Sequence, residues 1–272
     1  MTEKRINAVN IYKIFNTEFS RMFYSKEALL SVILGMAVVL WHQILFVWKP
    51  SHTVMGGELM ESAYYNWIGG NCLQIETYLF FMVIPILAVM PGGTTFFDDV
   101  RSGYIYQYKL RGAIREYIIA KEAAYFCTAA LVVLIPLVSS FLFTAMRFPM
   151  TLPEPPMSLG PLAGCFDTGL YYQHPLVHTL LFMLYDIIFA GGISLFAMTG
   201  VFIFEHRFSA AAFPFLVYFF TYALFGLTGD DLSPNYFLIS GFQHHFISEY
   251  IIALAILFLN ALAVYWVGRK EC

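Results

Sequence analysis

The sequence predicts an all-α polytopic membrane protein with six transmembrane helices, and three observations carry that prediction. First, 59% of the 272 residues are hydrophobic, 18% are aromatic and only 12% are charged, whereas a soluble domain carries about 25% charged residues. Mean hydropathy is +0.67. Second, the apolar residues gather into six stretches, each near the roughly 20 residues of helix that cross a hydrocarbon core of about 30 Å. Third, the lysines and arginines fall almost entirely between alternate stretches, the pattern that fixes orientation in a bilayer. Residues 1–272 read as a single transmembrane domain.

Residues 1–27 lack the compact apolar run of a signal peptide. Ile11, Ile14, Phe15, Phe19, Met22 and Phe23 recur there at helical spacing. They predict an amphipathic helix lying along the membrane surface, with its basic residues near anionic headgroups. Spans follow at about 28–48, 72–97, 123–145, 176–204, 209–227 and 247–267. Pro85, Pro91 and Gly92–Gly93 loosen the later half of the second span, and Gly191–Gly192 predicts a tilt or kink in the fourth. Residues 147–175 are proline-rich and predict irregular backbone. The half-apolar stretch 228–246 predicts short helices dipping back toward the membrane, tolerable only where protein buries them.

Orientation follows from charge. Lys4, Arg5, Lys13, Arg21 and Lys26 precede the first span, and Arg101, Lys109, Arg111, Arg115 and Lys121 lie between the second and third. Arg207 falls between the fourth and fifth, and Arg269 and Lys270 follow the sixth, while the other parity holds only Lys49 and Arg147. Both termini are therefore expected in the cytoplasm. The four cysteines, Cys72, Cys127, Cys165 and Cys272, form no CxxC pair and indicate neither a disulfide framework nor a zinc site.

Residues 98–122 break the apolar pattern with nine charged side chains. Each would cost about 2.5–3.5 kcal/mol in mid-bilayer, so the stretch belongs in water or against protein. It lacks the Ser, Pro and Asn punctuation of a linker. Instead Tyr104, Ile105, Tyr106, Tyr108, Leu110, Ile114, Tyr117, Ile118 and Ile119 alternate with the charges. Aromatic residues with arginine make a docking surface, and the same tyrosines equally suit an aromatic belt at the lipid interface.

Asp99 stands four residues before Gly103; "YIYQYKL", Gly112, "AIREY" with Arg115, and Lys121 follow. This order resembles the loop between spans two and three of ABC-2 type transporter permeases, although Tyr104 stands where that family usually has Thr and Gly112 where Pro is common. The resemblance implies a coupling helix that fits a cleft on a cytoplasmic ATPase, so that ATP-driven closure of two ATPase copies moves the spans. It assigns Asp98, Asp99, Arg101, Gly103, Tyr104, Tyr106, Tyr108, Arg111, Arg115 and Lys121 to the ATPase-coupling surface. Glu205, His206 and Arg207 of the next inside turn would add a second contact; routine capping of a helix end is the other reading of these three. The resemblance also implies a second permease copy, identical or related, in a plasma membrane of the bacterial inner or cytoplasmic type. ATP and Mg would bind the partner, because no GxxxxGK[ST] loop occurs in this chain. No cofactor, metal or nucleic acid is expected on the permease itself, and membrane lipid surrounds it.

Two carboxylates fall inside spans, Asp186 in the fourth and Glu76 near the outer end of the second. Such charges face protein or a watery cavity. Asp186 and Glu76 are therefore the candidates for a translocation path; the other reading of Asp186 is a bond to a neighbouring helix, and that of Glu76 is contact with the outer headgroups. His174 and His178 have i, i+4 spacing, but Pro, Leu and Val lie between them, so the acid of a zinc protease is missing. The expected function is a permease subunit exporting an amphipathic molecule such as a hydrophobic peptide, a lipid or an antibiotic. The alternatives are an intramembrane enzyme using Asp186, Glu76 and the histidines, or an ion-coupled carrier, for which inverted repeats are expected.

Overall fold

The computed structural model describes residues 2–48, 62–70, 74–153, 165–228, 233–241 and 246–271. Among these there is no strand. The helices are α1 (Thr2–Phe23), α2 (Lys26–His42, running on through a π turn at Gln43–Val47), α3 (Ala63–Asn66) and α4 (Ile75–Val89). They continue as α5 (Thr95–Arg101), α6 (Tyr104–Leu110), α7 (Ile114–Ala145), α8 (Thr168–Gln173) and α9 (Pro175–Ser194). The chain closes with α10 (Phe196–Ile203), α11 (Arg207–Thr228), α12 (Pro234–Leu238) and α13 (Ile247–Glu271).

Five helical segments are long and apolar enough to cross a membrane: Lys26–Val47, Ile114–Ala145, Pro175–Ile203, Arg207–Phe225 and Ile247–Arg269. The chain is thus an α-helical membrane protein. The second expected span departs from 72–97. Its apolar helix α4 has only 15 residues, about 22 Å at about 1.5 Å per residue. The chain then turns at Pro91–Gly92–Gly93 before α5 resumes. A broken backbone inside a membrane needs internal hydrogen-bond partners, and Tyr125 of α7 supplies them. Its hydroxyl donates to the Gly92 carbonyl and accepts from the Phe96 N–H at 3.1 Å.

Helix α1 forms as expected, with its apolar stripe turned toward α7. Ile14, Phe15, Phe19 and Met22 pack into a protein core with Tyr117, Ile118 and Tyr125 of α7. A break at Tyr24–Ser25, where the Ser25 hydroxyl caps the Ala28 N–H at 3.0 Å, separates α1 from α2. The two helices nevertheless run beside α7 in one register. Glu18 meets Lys121, 103 residues on; Gln43 meets Thr144, 101 residues on. Between them Gly35 lies so close to Pro136 that an added Cβ would stand 2.7 Å from its ring. Lipid tails are as apolar as leucine, so helices associate in a membrane by close packing at small residues.

The same logic corrects the fourth span. Gly191 and Gly192 do not kink it: Phe126 and Leu257 fill the space their side chains would take. The break falls three residues later, at Leu195, between α9 and α10. Away from the basic end, residues 62–70 and 233–241 close over the bundle. Trp67, Ile68, Leu238 and Ile239 are fully buried, and Ser240 bonds the Gly69 carbonyl through both its N–H (2.8 Å) and its hydroxyl (2.9 Å). Residues 233–241 of the half-apolar stretch are thus held in protein, as their composition requires; 229–232 and 242–245 lie outside the described residues. Residues 154–164 of the proline-rich stretch and His244–His245 lie outside the described residues.

Candidate functional site

The charged segment folds as three short steps. Helix α5 ends at Gly103, whose φ of 75° is the left-handed conformation that other residues adopt only at a cost. Helix α6 then runs seven residues to a second left-handed glycine, Gly112, with φ 66°. After it α7 begins. Two glycine hinges therefore set a short helix between two longer elements.

What holds this arrangement is a buried charge cluster. Lys121 of α7 donates to Glu18 of α1 at 2.5 Å and to Asp99 of α5 at 2.6 Å. Tyr117 donates to the same Asp99 oxygen at 2.6 Å, and Arg21 donates to the other at 2.8 Å. Lys121, Glu18 and Asp99 are 0%, 1% and 3% exposed. Two carboxylates meet two cations, so the cluster is neutral, as burial demands. Burial alone would lower the Arg21 guanidinium, but the Asp99 bond and the charges of Asp99 and Glu18 outweigh it and hold it above its ordinary value. Glu18 and Arg21 were absent from the expected site. They sit on an ordinary amphipathic helix, and nothing local in the sequence ties them to a lysine a hundred residues away.

Helix α6 is seated on this cluster by three residues. Ile105 is buried. The Tyr108 ring stacks on Tyr117 at 4.6 Å between centroids, and its hydroxyl shares a 3.0 Å hydrogen bond with that of Tyr104. Burial, then the Tyr104 hydrogen bond and the nearby Glu18 and Asp99 charges, push the Tyr108 phenol above its usual range, so it stays neutral. The opposite face of α6 is bare: Tyr106 is 60% and Leu110 88% exposed, with Lys109 set over the Tyr106 ring.

The residues expected to couple to an ATPase thus divide. Asp98, Arg101, Tyr106, Arg111, Arg115, Glu205, His206 and Arg207 are exposed. Gly103, Tyr104 and Tyr108 are half-buried, and Asp99 and Lys121 are buried in the cluster, where they can position a surface but not form one. Arg101 donates to the Glu205 carbonyl at 3.0 Å, so the charged segment and the turn at Glu205–Arg207 form one continuous surface. Arg115 is tied to α13 through the Tyr265 hydroxyl at 3.1 Å.

The two intramembrane carboxylates are both buried. Glu76 is 4% exposed in the first turn of α4. Asp186 is 0% exposed, and neither of its oxygens has a hydrogen-bond partner among the described residues. His178 pairs with the buried Asp167 at 2.9 Å rather than with His174, which stands at the N-cap position of α9 without a side-chain capping bond. Among the described residues no group of three or more His, Cys, Asp or Glu side chains is placed to hold a metal ion. Comparison with known proteins found no matching family model, curated protein or solved structure.

Proposed function

We propose that this chain is the membrane-embedded permease subunit of an ABC-2 type transporter. It would work as an exporter of an amphipathic molecule, with two permease copies and two separate cytoplasmic ATPase subunits. The basic end of the bundle, with both termini, faces the cytoplasm in this reading. The observation that carries it is α6: a seven-residue helix between two glycine hinges, fixed from behind by a neutral buried charge cluster. It offers an exposed tyrosine, leucine and lysine on a face where lipid is not the natural neighbour. Exposed apolar groups rimmed by charge mark interaction sites, and aromatic residues with arginine are favoured at interfaces.

The geometry also suits force transmission. Helix α7 has 32 residues, about 48 Å against a core of about 30 Å, so its charged start projects beyond the hydrocarbon. A push on α6 reaches α7 through Tyr108–Tyr117 and Lys121, and reaches α1 through Glu18. The test is affinity purification of the full chain from its native membrane. An ATPase bearing a phosphate loop is expected to copurify. Its retention should fall at least tenfold in Tyr106→Ala/Leu110→Ala, with the permease still inserted and equally stable. Retention of the ATPase by that double variant at the wild-type level would refute this role for α6.

A further inference from the structure

Beside the hinge that joins α6 to α7 lies a pocket of about 320 Å³, lined by Lys13, Ile14 and Thr17 of α1, Tyr108 of α6, and Arg111 and Ala113 on either side of Gly112. At Gly112 itself an added Cβ would meet no atom within 4 Å, so the hinge borders open space. Lys13 and Thr17 stand at i and i+4 on one edge of α1, next to the apolar stripe to which Ile14 belongs. The Thr17 hydroxyl is turned back onto the Lys13 carbonyl at 3.0 Å. The Tyr108 hydroxyl shares its hydrogen bond with Tyr104; when Tyr104 is the donor of that bond, Tyr108 keeps a hydrogen to give.

The charge of this pocket is of one sign. Lys13 and Arg111 reach it from two separate elements, and neither forms an ion pair among the described residues. No carboxylate is among the lining residues. Glu18 of α1 and Asp99 of α5 are already bound by Lys121 and Arg21. A hollow lined by one sign of charge concentrates counter-ions. Phosphate is the anion that suits these donors: a guanidinium grips two of its oxygens in a fork, and an ammonium serves as a point charge. Its oxygens also point in several directions, so it can meet donors on opposite walls, whereas a carboxylate offers two oxygens in one plane. We propose that the pocket binds a phosphate group, with Arg111 and Lys13 as charge partners and Tyr108 as a hydrogen-bond donor. The headgroup of an anionic phospholipid and a free phosphate present the same chemistry here. A phosphate so held would tie α1 to the hinge behind α6 and fix the angle of that short helix. Only the consequence for ATPase docking rests on the transporter reading; the site stands on its own geometry.

The test uses the full-length protein in nanodiscs of phosphatidylcholine at fixed ionic strength, with no ATPase present. One arm measures saturable binding of radiolabelled orthophosphate. The other adds phosphatidylglycerol with a photoreactive headgroup to the bilayer and maps the lipid–protein adducts. Saturable binding in the first arm assigns the site to a soluble phosphate; adducts confined to the peptides that hold Lys13 or Arg111 assign it to a lipid headgroup. Either result supports the proposal. In the arm that responds, Lys13→Gln/Arg111→Gln should lower binding or adduct yield at least tenfold. Arg111→Lys keeps the charge but loses the fork, and should lower it several-fold. Lys26→Gln/Arg269→Gln removes the same charge from exposed positions outside the pocket and should leave it within twofold of wild type. Monodispersity and melting temperature report whether each variant is folded; where the first double variant is not, Arg111→Lys carries the decision. No response in either arm, a response unchanged in the folded pocket variants, or an equal loss in the control pair would overturn the proposal. Displacement of the probe by an equal concentration of acetate would assign the pocket to anions in general and overturn it equally. Because no ATPase takes part, failure here leaves the docking role of α6 untouched, and failure there leaves this site untouched.

Discussion

Lys121 is the residue on which the charged end of the bundle depends, because its ammonium is shared by two carboxylates and reached by no water. Lys121→Met would leave the half-exposed Arg21 as the one cation for Glu18 and Asp99 in the cluster, with Tyr117 still donating to Asp99. Removing one partner of a buried ion cluster costs about 3–5 kcal/mol, so the melting temperature of the purified protein should fall sharply. The triple variant Glu18→Gln/Asp99→Asn/Lys121→Met should recover much of that loss, since neutral groups of similar shape need no counter-charge. Tyr125→Phe should cost about 1–3 kcal/mol in the same assay, because the Phe96 N–H of the broken second span would lose its acceptor, while the Gly92 carbonyl keeps Thr95. At this scale the sequence was half legible. Lys121 and Asp99 stood out as charges at the edges of apolar runs, but their exposure was misjudged, because the pairing with Glu18 bridges 103 residues. Asp186 was visible as a lone charge in a span.

Among the elements, α6 was the most legible. Two glycines seven or more residues apart, flanking a run without breakers, already mark a short helix between hinges. Gly103→Ala should cost about 1–2 kcal/mol, the penalty for a Cβ at a left-handed φ, measurable as a lowered melting temperature. The break after α4 was likewise announced by Pro91, Gly92 and Gly93. The role of Gly191–Gly192 was not, because a glycine pair that allows a close approach and one that allows a kink are identical in sequence. Packing between α2 and α7 offers the sharpest check at this scale. Gly35→Leu must push against the rigid ring of Pro136, and overpacking of this kind costs about 1–3 kcal/mol. Gly35→Leu should lower the melting temperature while leaving ATPase retention by any folded fraction unchanged, since Gly35 is far from α6. The direction of α1 could not be read from its periodicity. An apolar stripe does not say whether it meets lipid or α7, and only the charges of Glu18 and Arg21 on that same face decide for protein.

For the whole molecule, composition and hydropathy predict the class that the helices show, and the distribution of lysine and arginine predicts an orientation. The chain then works, in the proposed reading, as a transmembrane bundle with a stiff handle at one end. The handle is stiff because its short helix is backed by a neutral charge cluster that ties α1, α5 and α7 together. The central claim is that α6 is clasped by an ATPase in the cytoplasm. The most direct measurement places a photo-crosslinking benzoylphenylalanine at Leu110 in living cells, with the lipid-facing Leu30 as control. Irradiation is predicted to join position 110, and not position 30, to a protein that carries a phosphate loop. Position 110 giving no such adduct, or reacting with a membrane-impermeant reagent added outside the cell, would contradict the account.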